Sequence, residues 1–164
     1  MLLQGEEVKD GGSMRIGVLS DTHARNLNEL SPRILEALRG VDLIVHAGDF
    51  VTREVLEGLR QIKEVKAVRG NMDSREIWEV LPEKEVFQIE GKRIGIIHGW
   101  GSPYHIEQRV RQEFGEVDII IYGHSHVAQN KVIDGILFFN PGPGRKSFGL
   151  LEIGREVKGE IVKF

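Results

Sequence analysis

The chain has 164 residues, 40% hydrophobic and 29% charged, a size and mix that suit one globular domain with a core of its own. A net charge of −3 and a pI near 6.1 argue against generic nucleic-acid or membrane-surface binding, which wants a basic face. The absence of cysteine excludes disulfides, thiolate metal sites and cysteine nucleophiles, so any metal must sit on nitrogen and oxygen.

Residues 1–13, MLLQGEEVKDGGS, end in a Gly-Gly-Ser stretch before a second methionine, and are expected to be a disordered appendage to a domain over 14–164. They lack the basic start and apolar centre of a secretory signal. No apolar run reaches the ~18 residues of a membrane span, so a cytoplasmic protein without a membrane partner is expected.

From Met14 the chain alternates. Residues 15–20 form a β-rich run. Ser31-Pro32 caps and opens a helix that closes at Gly40. A strand over 43–46, a helix over 52–62 and a strand over 65–68 complete a βαβαβ order, which predicts parallel strands with right-handed crossovers. Residues 85–97 then read as a β-hairpin turning at Glu90-Gly91-Lys92, followed by a helix over 104–114 and a strand over 118–121. A hairpin around Gly135, the segment Asn140-Pro-Gly-Pro-Gly144 and two antiparallel strands, SFGLLEI and EVKGEIVKF, finish the chain.

Five apolar runs each stop at a polar cluster: LSDTH (19–23), HAGD (46–49), RGNMD (69–73), HG (98–99) and GHSH (123–126). In open α/β sheets the carboxyl ends of neighbouring strands share one rim where ligands bind, so the five clusters should converge. They deliver Asp21, His23, Asp49, Asn71, His98, His124 and His126, all nitrogen or oxygen metal ligands. In extended chain, positions i and i+2 point the same way, which would aim Asp21 with His23, and His124 with His126, at one rim. Seven ligands exceed the about four that a zinc-like ion takes, and they are too nitrogen-rich for calcium. Two ions bridged by Asp49 would each have four protein groups. Such a site makes a hydroxide nucleophile and clamps an in-line displacement, so phosphoester hydrolysis is the natural chemistry.

His46 and His105 are left out as supporting or structural residues. Arg25 and Arg145 are candidate phosphate contacts, and Asp73 is a candidate for orienting its loop. Trp78, Trp100 and the Phe138-Phe139 pair are assigned to packing.

In order, D-x-H, G-D, G-N, H-G and G-H-x-H stand here as Asp21-Thr-His23, Gly48-Asp49, Gly70-Asn71, His98-Gly99 and Gly123-His-Ser-His126. From Met14 onward the sequence thus resembles the calcineurin-like metallophosphoesterases, most closely their small single-domain YfcE-type phosphodiesterase branch. The resemblance implies an α/β fold: a four-layer αββα sandwich of two mixed β-sheets flanked by helices, with metals at the strands' C-terminal ends. It puts Asp21, His23, Asp49 and His126 on one metal, and Asp49, Asn71, His98 and His124 on the second. Asp49, Asn71 and His98 are the expected catalytic residues, and Asn71 also a substrate contact with Arg25 and Arg145. Asn140-Pro141-Gly142 matches a loop near the site.

The sequence departs from that pattern twice. Where relatives carry His or Cys after the Asn of G-N stands Met72, which cannot protonate a leaving group; where a further His often follows H-G stands Trp100. The expectation is therefore a phosphodiesterase acting on a small diester, with Mn²⁺ first among two divalent transition-metal ions and Ni²⁺, Fe²⁺, Co²⁺ or Zn²⁺ also suited to imidazole. The alternative is a protein-interaction scaffold, because the resemblance reaches the small retromer subunit. A dinuclear amidohydrolase barrel fails on length, since eight βα units need about 250 residues. Exposed edge strands or Trp100 could mediate a homodimer.

Overall fold

A computed structural model describes residues 12–164, so the appendage expected over 1–13 lies outside the described residues except for Gly12 and Ser13. One sheet begins with β1 (Met14–Leu19), β2 (Leu43–His46) and β3 (Val65–Ala67). The other is made of β4 (Lys84–Ile89), β5 (Lys92–Ile97), β6 (Ile119–Ile121), β7 (Gln129–Ile133) and β8 (Ile136–Asn140). The chain then returns to the first sheet as β9 (Ser147–Ile153) and β10 (Val157–Lys163). Four helices connect them: α1 (Pro32–Arg39), α2 (Arg53–Ile62), α3 (Arg75–Val80) and α4 (Ile106–Arg111).

The strand orders are β10-β9-β1-β2-β3 and β4-β5-β6-β8-β7, five strands each. Both sheets are mixed. β1, β2 and β3 run parallel, with Val18 beside Val45 and Val45 beside Lys66, while β9 meets β1 antiparallel. In the second sheet β5, β6 and β8 are parallel and the edge strands β4 and β7 antiparallel.

Alternation along buried strands sets the layers. Leu43 and Val45 face the second sheet's Ile94, Ile96, Ile119 and Ile121 in the central core. Ile44 points the other way, among Ile34, Leu38, Leu56, Leu59 and Ile77 of α1, α2 and α3. On the outer face of the second sheet, Ile97, Ile120 and Tyr122 pack under Ile106 and Val110 of α4. The expected four-layer αββα sandwich is therefore the observed fold. Among the described residues no helix is long and apolar enough to cross a membrane.

Ser31 caps α1 by accepting the Arg33 N–H at 3.2 Å, as its Ser-Pro start predicts. The helix expected over 104–114 is shorter, because His105 sits at φ 64 and the chain beyond Arg111 tightens into i→i+3 bonds such as Phe114 N to Arg111 O, 3.3 Å. α3, and a 3₁₀ turn over Leu27–Glu29, carry no signal in the hydrophobic pattern of the sequence.

Candidate metal centre

β1, β2, β3, β5 and β6 all end on one rim, and the chain leaves them as tight loop rather than extended backbone. Asp21, His23, Asp49, His124 and His126 have φ of 52°, 47°, 65°, 70° and 62°, in the left-handed region that L-residues rarely adopt. Extended i, i+2 geometry is thus not what aims the paired ligands. Bonds between loops do it: Asp21 N donates to Gly48 O at 2.9 Å, His23 N to Asp49 O at 3.2 Å, Gly123 N to His98 O at 3.0 Å and Gly144 N to Ser20 O at 3.0 Å. Two glycines are required by close approach. A Cβ on Gly70 would overlap the Asp49 carboxylate and lie 2.6 Å from the Asp49 nitrogen, and one on Gly123 would overlap Ser20 Oγ and lie 2.8 Å from Asp21 Oδ2.

Each carboxylate has one oxygen tied down and one left over. Asp21 Oδ2 accepts from Ser20 Oγ (2.6 Å) and His124 N (3.0 Å), and Asp49 Oδ1 accepts from Met72 N (2.8 Å). The remaining oxygens face imidazoles. Asp21 Oδ1 lies 3.2 Å from His126 Nε2, 3.7 Å from His98 Nε2 and 4.0 Å from His23 Nε2. Asp49 Oδ2 lies 3.3 Å from His98 Nε2 and 3.7 Å from His23 Nε2.

The tautomers follow from the outer bonds. His98 Nδ1 is 2.8 Å from Ala47 O, a pure acceptor, so that nitrogen carries the proton and Nε2 turns its lone pair on the two carboxylates. His124 Nε2 likewise meets Gly101 O at 3.0 Å, leaving Nδ1 as the free nitrogen. Asp21 Oδ1, His23 Nε2 and His98 Nε2 are buried with no hydrogen-bond partner. Lone pairs held against lone pairs in a dry site are repulsive unless positive charge sits between them. The donor set, all nitrogen and oxygen, suits divalent cations.

The carboxylates also act on the charge of the neighbouring ring. Burial lowers the His98 pKa, but the Asp49 and Asp21 carboxylates and the Ala47 carbonyl outweigh it and raise the value above that of free imidazole. Burial pushes Asp49 up, but His98, the Met72 N–H and His23 hold it below the usual carboxylate range.

Among the described residues, two groups of three gather their donor atoms within 4.8 Å: Asp21, His23 and His126, and Asp21, Asp49 and His98. Asp21 is common to both, and Asp49 also touches members of each. The His124 ring lies 5.3 Å from that of His98, and the exposed Asn71 borders the same cleft as His98.

Residues 14–152 match the calcineurin-like phosphoesterase superfamily domain. The chain belongs to that family. A probable metallophosphoesterase of Methanocaldococcus jannaschii is 38% identical over 80% of this chain and 69% of its own length. A phosphodiesterase of the same organism is 27% identical over 91% of this chain and 99% of its own. Among solved structures, a Thermotoga maritima protein superposes with a TM-score of 0.75 at 32% identity, covering 92% of this chain and 99% of that one. Vps29 of Entamoeba histolytica, complexed with Zn²⁺, gives a TM-score of 0.69 at 28% identity over 92% and 99%.

As a metallophosphoesterase the chain is a phosphoester hydrolase that uses divalent metal ions, and this rim is where its candidate ligands meet. Side chains outside the motifs hold that rim. His46, fully buried and stacked 3.6 Å from the Phe50 ring, accepts from Gly48 N through Nδ1 (3.1 Å) and so donates through Nε2 to Thr22 Oγ1 (3.0 Å). It ties the Asp21 loop to the Asp49 loop, and burial lowers its pKa to about 3, with His98 adding to the effect. Asp73 accepts from the nitrogens of Asp49 (2.9 Å), Val51 (2.8 Å) and Gly70 (2.7 Å), as its candidate orienting role predicts, and burial raises its pKa.

Asn140 braces the Gly123–Ser125 turn, answering what its Asn-Pro-Gly loop does near the site. Arg109 had no signal in the sequence; it binds the Trp100, Ser102 and Tyr104 carbonyls and so fixes the loop whose Gly101 meets His124.

The candidate phosphate contacts differ. Arg25 is engaged by Glu29 at 2.9 Å, whereas Arg145 borders a cleft of about 520 Å³ beside His126. His105 is exposed on the α4 side. Phe138 and Phe139 are buried as packing residues, but Trp78 and Trp100 are not: both are half-exposed on the cleft beside His98, which departs from the packing role expected of them. Each sits just past a strand end or on the unforeseen α3, where no neighbouring layer covers it.

Proposed function

We propose that residues 14–164 form a cytoplasmic, dinuclear metal-dependent phosphodiesterase, with Asp21, His23, Asp49 and His126 on one ion and Asp49, Asn71, His98 and His124 on the other. The observation that carries this is the set of buried, partnerless donor atoms on Asp21, His23 and His98 facing one another across the rim. Mn²⁺ is the first choice, with Fe²⁺, Co²⁺, Ni²⁺ and Zn²⁺ chemically acceptable. When bound, the ions supply a hydroxide nucleophile and neutralise charge developing on the phosphoryl oxygens.

The chain's own residues orient the rest. Ala47 O holds His98 in one tautomer, and Met72 N keeps Asp49 turned so that its second oxygen faces inward. In this reading Asn71, exposed on the rim, donates to a phosphoryl oxygen, and Arg145, bordering the cleft with His126, pairs with the diester from that side. Arg25 would reach phosphate only by giving up Glu29. Met72, 58% exposed, offers no proton to a leaving group, which favours diesters with good leaving groups over monoesters. The relative named a phosphodiesterase supports that choice, and the zinc in the similar Vps29 supports metal on this fold.

The same Vps29 likeness favours a second reading, a protein-interaction scaffold with little catalysis. One experiment separates them: metal-stripped protein is assayed on an aryl phosphodiester and the matching monoester, with Mn²⁺, Ni²⁺, Zn²⁺ and Mg²⁺ added back singly, beside Asp49→Ala. Diester turnover restored by a transition metal and abolished in the variant is expected. Two bound ions with no turnover under any metal would move the conclusion to the scaffold.

A further inference from the structure

A cleft of about 330 Å³ opens beside the His98 donor, and Arg69, Asn71, Trp78, Glu83 and Trp100 border it. These are the chain's two tryptophans, and they are 48% and 43% exposed. Large indoles left in water at one place mark a binding surface more often than a packing fault.

The Trp78 ring and the Trp100 backbone are each held. The Arg69 guanidinium lies over the Trp78 ring at 4.2 Å from its centroid, fixed by a 3.0 Å bond from Nη1 to Leu81 O. The Trp100 carbonyl accepts from Arg109 Nε at 2.9 Å, and Arg109 spans the rest of that loop. Walls anchored in this way lose less freedom when a ligand arrives than free side chains do.

We infer that this cleft is a nucleobase subsite: the diester cleaved at the metal centre carries a nucleoside on its His98 side, with the base stacked on the tryptophans. The inference rests on the phosphodiesterase reading and narrows its substrate class. A base has flat faces for indole and an edge that both donates and accepts, which Arg69 and Glu83 match between them. Glu83 repels phosphate, so the neutral part of the substrate belongs here. The cleft beside His126 has the opposite character, bordered by Arg145, Lys146 and Lys163, and takes the anionic part. The volume falls within the range of pre-formed small-molecule sites, roughly 300–1,000 Å³.

Because both tryptophans border the cleft, fluorescence excited selectively in indole, beyond tyrosine absorption, reports on it. Metal-stripped protein is titrated with adenosine, AMP and, as a base-free control, ribose 5-phosphate; Trp78→Ala, Trp100→Ala and the corresponding Phe variants are run alongside. Saturable quenching by adenosine and AMP but not by the control is expected, with affinity falling roughly tenfold or more in each Ala variant and largely restored by Phe. With metal present, the Ala variants should lower the ratio of kcat/KM for a dinucleoside monophosphate to that for glycerophosphocholine.

No response to either nucleoside, or equal affinity in the Ala variants, overturns the subsite. Aryl-diester turnover combined with that silence would remove the subsite and leave the phosphodiesterase. Adenosine binding without turnover under any metal would keep the aromatic subsite and remove the activity on which its substrate assignment rests.

Discussion

Asn140 is fully buried, and its side chain makes three bonds: Nδ2 donates to Gly123 O (3.3 Å) and Ser125 Oγ (3.1 Å), and Oδ1 accepts from Gly142 N (2.9 Å). Asn140→Ala removes all three. Gly123 O keeps a second donor, Ser125 N at 2.8 Å, but the Gly142 N–H is stranded. Two lost bonds at ~0.5–1 kcal/mol each and one stranded buried donor at ~1–3 kcal/mol give on the order of 3 kcal/mol. In a chain of this size that lowers Tm by roughly 6–12 °C. The turn released carries His124 and His126, so metal affinity should fall about 10- to 100-fold, as when outer partners of ligands are removed. Asn140→Asp discriminates further. It keeps the Gly142 bond but sets a carboxylate oxygen against Gly123 O, so its deficit should shrink on acidification as the new acid gains a proton to donate. Calorimetry of the two variants between pH 5 and 8, with a metal titration of each, tests the reasoning. An alanine variant that melts within about 2 °C of the parent and binds metal equally well would refute it.

Three further outcomes are expected. The His46 pKa, lowered from 6.5 to about 3, means that the folded state binds this proton less readily than the unfolded chain. Its contribution to stability is therefore complete above pH 6.5 and is lost as pH falls toward 3, at about 1.4 kcal/mol per pH unit; His46→Gln should flatten that limb of a Tm-against-pH curve. Gly70→Ala drives a methyl into the Asp49 carboxylate and should abolish turnover with loss of metal binding, read by activity and by metal titration; wild-type affinity in that variant would contradict the close approach. Chelation should lower Tm and transition metal should restore it as the logarithm of its concentration rises, the stabilisation reaching about 2.7 kcal/mol at a hundredfold excess over Kd; a Tm indifferent to metal would count against the ligand set.

The strands and the polar clusters at their ends were legible because chemistry limits which side chains can stand there: a βαβ pattern fixes where strands stop, and Asp, Asn and His among glycines are conspicuous after isoleucine runs. What aims the paired ligands was not legible. Asp21-Thr-His23 resembles extended chain until the bonds to Gly48 O and Asp49 O, donated to a loop 25 residues distant in sequence or more, bend it into left-handed conformations. α3 is six residues long, too short for its period to stand out, and it exists because Ile77 packs beneath Ile44's face of the sheet. α4 begins late because Arg109 gathers the three carbonyls before it, a contact no local pattern encodes. Without α3 and that loop in view, both tryptophans read as packing residues.

The strain and the unpaired donors at the rim have one explanation between them. A left-handed non-glycine residue costs about 1–3 kcal/mol and persists only where its surroundings over-determine it. Here five such residues are the aspartates and histidines that face one another, and the side chains that over-determine them, Ser20, His46, Asp73 and Asn140, touch the loops without filling the space between the donors. A cluster serving stability alone would relax: Asp21 Oδ1 and His98 Nε2 would find N–H partners, and the loops would return to ordinary φ. The fold instead fixes these donors from behind, Asp21 through Oδ2, Asp49 through Oδ1, His98 through Nδ1, and leaves the forward atoms of Asp21 and His98 without an N–H partner. An anchored back with a front turned inward, as Asp21 and His98 have it, is the form positional control takes when the partner at the front is a cation.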